Sequence, residues 1–162
     1  MSKIKFEGNI NWKLNPIQSF NYQYFFVVLK TLFFEHNLFE LCVDAETTSE
    51  VLASCARIVA EESGLPLDSD YLELKHYFGV GEDNSRSIII EYEYPFPIET
   101  ECKFVALVKD SNGLKSMYTS EFYEWSGCFK LCEITDDGFR SSYSLITNTL
   151  EEFLEAINHR ID

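Results

Sequence analysis

Carboxylates set beside aromatic rings recur through the second half of the chain, at Glu91-Tyr92-Glu93-Tyr94, then Glu99 and Glu101, then Glu121, Tyr123, Glu124 and Trp125, then Glu133, Asp136 and Asp137. Two chemistries use such residues. A pair of carboxylates can run acid–base catalysis when one keeps its proton and the other does not. Carboxylates flanked by rings also suit docking, where the rings supply contact area while the charges steer a basic partner and pair with its Lys or Arg. With 27 Asp and Glu in the chain, spacing singles out no catalytic pair. The docking reading assigns Glu91, Glu93, Tyr94, Glu121, Tyr123, Glu124, Trp125, Glu133, Asp136 and Asp137 to a partner-binding surface. The competing reading is a solvated sheet face.

Other motifs are weaker. His36, His76 and His159 are far apart and show no metal-ligand spacing, and no Gly-x-Ser-x-Gly marks a nucleophile. Five cysteines without Cys-x-x-Cys read as reduced thiols packed as small hydrophobes, with Cys128 and Cys132 on one face of a strand. Gly79-x-Gly81 lacks the further glycines or the Gly-Lys-Ser/Thr of a phosphate loop, and Glu82 and Asp83 follow it, so a hairpin loop is expected. Glu82-Asp83-Asn84 and Asp136-Asp137-Gly138 lack the EF-hand alternation and read as turns. The expectation is no cofactor, no metal and no catalytic constellation.

Composition narrows the class. The chain has 162 residues, 46% hydrophobic and 15% aromatic, which places a net charge of −14 on the surface of one packed domain rather than on a disordered tail. Such a surface repels nucleic-acid phosphates and anionic membranes and favours basic proteins. Residues 1–12 hold no apolar run of signal-peptide length, so a cytoplasmic location is expected. The segment 20–39 is apolar nearly all round, yet Lys30, Glu35 and His36 interrupt it short of the roughly 20 residues that span a bilayer. It reads as a core helix, a homodimer face, or strand in part.

The elements that must position these residues follow from periodicity. Alternation or short apolar runs predict strands over 3–12, 71–78, 87–94, 102–109, 114–123, 128–135 and 139–145. Asn112-Gly113, Ser126-Gly127 and Asp136-Asp137-Gly138 supply the reversals, and such short connections join antiparallel neighbours. Helical spacing predicts a long helix from about Pro16 to Asn37, opened by that proline. A second is predicted over 44–63, capped by Thr47, Thr48 or Ser49, with Val51, Leu52, Cys55, Ile58 and Val59 as its stripe. The last, over 150–157, is capped by Asn148 or Thr149 and carries Leu150, Phe153, Leu154 and Ile157 inward.

Tyr118-Thr119-Ser120-Glu121, Phe129-Lys130-Leu131-Cys132-Glu133, Asp136-Asp137-Gly138, Tyr143 and the helix from residue 150 together resemble a loose pattern of small acidic bacterial domains, among them immunity-type proteins that neutralise secreted toxins. The pattern spans about the last third of the chain, and Ile134 and Phe139-Arg140 stand where such domains often carry Trp and His.

The expected fold is α+β, a single domain with a mainly antiparallel sheet of about six or seven strands, helices packed on one face and a C-terminal helix. The expected function is non-catalytic: an acidic protein that blocks a basic partner, such as a toxin or a nucleic-acid-handling effector. The alternatives are a small-molecule or enzymatic pocket lined by Tyr24, Tyr92 and Tyr118, and a homo-oligomer built on residues 20–39.

Overall fold

Strand follows strand in chain order across a single seven-stranded antiparallel sheet. Its members are β1 Lys5–Trp12, β2 Leu74–Val80, β3 Arg86–Tyr92, β4 Cys102–Lys109, β5 Lys115–Tyr123, β6 Cys128–Thr135 and β7 Arg140–Ile146. Among the described residues four helices accompany it: α1 Tyr22–Glu35, α2 Leu38–Leu41, α3 Ala45–Glu62 and α4 Leu150–Ile161. The computed structural model describes residues 5–12, 22–62, 74–92, 102–123, 127–136, 138 and 140–161. The helix opening at Pro16, the beginning of the 71–78 strand and the strand stop at Pro95 and Pro97 lie outside the described residues.

Turn chemistry sets the order. Between β4 and β5, the Asp110 carboxylate accepts the Asn112 and Leu114 N–H groups at 2.9 Å each, and Gly113 takes φ +86°, which a side chain would resist. Between β2 and β3, Asp83 accepts both the N–H and the hydroxyl of Ser85, and the Gly81 N–H donates to the Ser85 carbonyl at 2.7 Å. The Gly79-x-Gly81 stretch is thus the end of a strand and a hairpin loop, with Asn84 in the left-handed conformation at φ 70°.

Alternation then divides the strand side chains between two faces. On one, Ile88, Ile90, Val105, Leu107, Met117 and Ile134 pack against Phe25, Leu29 and Phe33 of α1, Leu38 and Phe39 of α2, and Leu52, Cys55, Ala56 and Val59 of α3. On the other, Ile89, Phe104, Ala106, Val108, Tyr118 and Leu131 lie under Phe153, Ala156 and Ile157 of α4. The expected one-sided helical layer is therefore α1 to α3, and α4 covers the opposite face. Two-sided burial explains why Ile88-Ile89-Ile90 and the 104–108 run are apolar without alternation.

Segment 20–39 divides into two helices. α1 stops at Glu35, and the short α2 turns Phe39 back so that its ring meets Phe33 edge-on at 5.7 Å. Phe25, Leu29 and Phe33 are fully buried, Phe26, Val28, Leu32 and Phe34 partly so, while Tyr24 and Val27 stay exposed. The central-helix reading describes this segment, and strand does not. α3 is capped one turn earlier than expected. Asp44 accepts the Thr47 N–H at 2.8 Å and Thr47 Oγ1 accepts the Asp44 N–H at 3.2 Å, a reciprocal box that leaves Thr47, Thr48 and Ser49 inside the helix. Its buried stripe is Thr48, Leu52, Cys55, Ala56 and Val59; Ile58, expected inward, is exposed.

At α4 the cap is Thr149, whose Oγ1 accepts the Glu152 N–H at 3.2 Å. Thr149→Ala leaves that N–H to water and is expected to cost about 1 kcal/mol, read as a lower urea midpoint at unchanged slope.

Candidate functional site

Among the described residues, the sheet divides the sequence-predicted acidic residues between its two faces. Glu91 on β3 and Glu133 on β6 lie on the α4 face, each half-buried. Glu91 accepts a hydrogen bond from the Tyr77 hydroxyl at 3.4 Å. Glu121 on β5 is paired in register with Lys130 and points to the opposite face, where Cys132 Sγ approaches its Oε2 at 3.6 Å. Asp136 is exposed in the β6–β7 turn. Tyr123 ends β5, and its side chain lies outside the described residues, as do Glu93, Tyr94, Glu124, Trp125 and Asp137. Neighbouring strands carry these positions, but one residue of register decides the face.

Glu91 and Glu133 are three strand spacings apart and two residues out of step along the strands, about 16 Å in all, and α4 packs on the same face. Its inward stripe leaves Glu151, Glu152 and Glu155 on the outside, all exposed. Residues 151 and 155 are one turn apart and so stand together. Among the described residues, the carboxylates on this side are therefore these three on the helix with Glu91 and Glu133 on the strands, and Lys75 is the register partner of Glu91. None of the three on the helix is among the partner-binding residues that the sequence suggests. The signal was present, since the polar side of an inward-facing stripe is legible from its spacing. α3 is also acidic outside, with Glu46, Glu50, Glu61 and Glu62 exposed.

Cys132 meets a carboxylate, that of Glu121. Cys132 is buried, with Ser142 Oγ at 3.6 Å and Glu121 at 3.6 Å. His76, on β2, lies four strand spacings or about 19 Å away across the sheet. Burial pushes the Cys55 thiol up to about 11 and raises Cys42 as well, so both are thiols at neutral pH and poor nucleophiles. Among the described residues no three His, Cys, Asp or Glu side chains are grouped to hold a metal ion. No helix among them is long and apolar enough to cross a membrane. The pocket expected from Tyr24, Tyr92 and Tyr118 does not form around Tyr24 and Tyr118. Tyr118 is buried under α4, Tyr24 is exposed on α1 on the other side of the sheet, and the side chain of Tyr92 lies outside the described residues.

A concavity lies elsewhere, at the end of the sheet under α2. A cleft of about 630 Å³ opens between the Phe39–Val43 segment, the β2–β3 loop at Asn84, and the β4–β5 turn at Asp110–Gly113, with Arg86 and Lys109 in its wall. The Arg86 guanidinium lies over the rings of Phe39 and Phe78, 5.3 and 5.4 Å from their centroids, and its Nη1 donates to the Phe39 carbonyl. Sequence reading did not find this place, because residues 39–43, 84–86 and 109–113 share no periodicity and meet only through the topology.

The chain matches no protein-family model, no curated protein and no solved structure.

Proposed function

We propose that this is a non-catalytic binding protein that docks a basic protein partner through its α4 side and blocks it, in the manner of toxin-neutralising or anti-defence inhibitors. The observation that carries the reading is the exposed set Glu151, Glu152 and Glu155 on α4, with Glu91 and Glu133 on the sheet beside it. A helix held by its apolar stripe presents charges from a rigid element, so less order is lost when a partner binds. The net charge of −14 extends the attraction beyond the contact and speeds encounter with a basic surface. The resemblance of the last third to immunity-type domains points the same way.

The test is recovery of partners from the native cell at low ionic strength, followed by titration of the recovered partner. A basic protein is expected, with affinity falling steeply as salt rises. Charge reversal at Glu151→Lys with Glu155→Lys should weaken it about 10-fold or more, mainly through the association rate, while Glu46→Lys with Glu50→Lys on α3 should have a much smaller effect. Absence of any basic partner at low salt sinks the proposal, and equal sensitivity of both helices removes α4 as the docking side.

A further inference from the structure

We propose that the cleft beneath α2 is a binding site for an oxyanion, a phosphate or a carboxylate, carried on a small molecule with a flat or apolar part. The inference is independent of the acidic α4 side and concerns the opposite face of the sheet.

Its basis is a row of cations in a protein of net charge −14. Arg86 is the register partner of Lys109, and Lys109 of Lys115, so three adjacent strands set like charges side by side at one end of the face. Directly opposed like charges repel. Among the described residues, neither Arg86 nor Lys109 has a carboxylate at salt-bridge distance. Arg86 is half-buried, and its Nη2 is shielded from solvent without a hydrogen-bond partner. Desolvating a guanidinium without an anion is costly, and N–H groups beyond the one that the Phe39 carbonyl takes can meet an oxygen of a carboxylate or phosphate.

The remaining walls fit the same ligand. Glu40 and Asp110 are the acidic groups there. One oxygen of the Asp110 carboxylate, Oδ1, accepts the turn N–H groups of Asn112 and Leu114, and Glu40 is exposed. Asn84, Ser111 and Asn112 place neutral polar groups at the mouth, while Phe39 and Val43 form an apolar side. Val43, Val80 and Leu114 are large hydrophobics left exposed around this end of the sheet. The volume of about 630 Å³ is that of a small-molecule site.

Phenyl phosphate and benzoate, titrated separately into the full chain at low ionic strength, provide the test, with sodium chloride at matched ionic strength as control. Saturable binding by at least one probe is expected, with a Kd on the order of 1 mM or tighter and amide shifts at Arg86, Lys109 and Ser111–Gly113. The tighter probe identifies the headgroup. Lys109→Gln is at a partly exposed position and leaves the core intact; it should weaken binding about 10-fold, and Arg86→Lys, which keeps the charge but loses the fork, by a similar factor. Lys30→Gln, the same loss of charge on α1, should leave the Kd unchanged. Absence of saturation by both probes overturns the site, as does a loss in Lys30→Gln equal to that in Lys109→Gln.

Discussion

Phe153→Ala is expected to cost about 3–5 kcal/mol, a fall of roughly 10 °C in midpoint for a chain of this size. Phe153 is fully buried, and its ring stacks on Phe104 at 5.1 Å and 24°. The floor around that pair includes Ala106, too small to fill the space a missing ring leaves. The loss is therefore the transfer energy of the ring plus the cavity, since β4 is held by β3 and β5 and cannot collapse inward. Phe153→Leu keeps much of the volume and should cost less than half as much, and Leu154→Ala, at a half-buried position, less again. Urea titrations of the three variants would give this order. A Phe153→Ala protein as stable as Leu154→Ala would show that α4 is held by something other than this stack. The proposed docking side also depends on it: partner binding in Phe153→Ala should fall with the loss of α4 order while Glu151, Glu152 and Glu155 all remain.

Much of this arrangement is legible in the chain because local signals agree. The β6 limits follow from Gly127 and the Asp136 turn, and α4 from Thr149 and the stripe at Leu150, Phe153, Leu154 and Ile157. The second helical layer was legible too, though only through the right inference. Phe104, Val105, Ala106, Leu107 and Val108 are all buried, and a strand apolar on consecutive residues needs cover on both faces. Register is what the residues alone do not carry. Glu121 and Glu133 look equivalent in a list of strand glutamates, yet pairing puts Lys130 opposite one and Tyr118 opposite the other, on different faces. A bulge adds to this: the register shifts between Cys102 and Val105, and the Phe104 N–H donates to Ser120 Oγ at 3.0 Å. The Arg86 cleft is further from the sequence still, since the α2 turn that roofs it is set by packing of Phe39 on Phe33 rather than by any motif.

His76 should make this protein sensitive to acid well before its carboxylates are all protonated. The imidazole is wholly buried on β2, opposite Ile90, and desolvation lowers its pKa from the usual 6.5 to about 4. Between those values the unfolded chain binds a proton that the folded chain refuses, so stability rises with pH. The contribution is complete above about pH 6.5, is lost progressively as pH falls through 4, and levels off below both values. The full span corresponds to about 2–3 kcal/mol after allowance for solvent screening. His76→Leu removes the titration while keeping an apolar side chain of similar bulk in the same place. Urea unfolding of both proteins from pH 7 to pH 4 isolates the effect, because protonation of the shared carboxylates cancels in the difference. The variant should hold its stability better by about 2–3 kcal/mol across that window, with most of the divergence below pH 6. Parallel curves would mean that His76 takes up its proton in the folded protein as readily as in the unfolded chain.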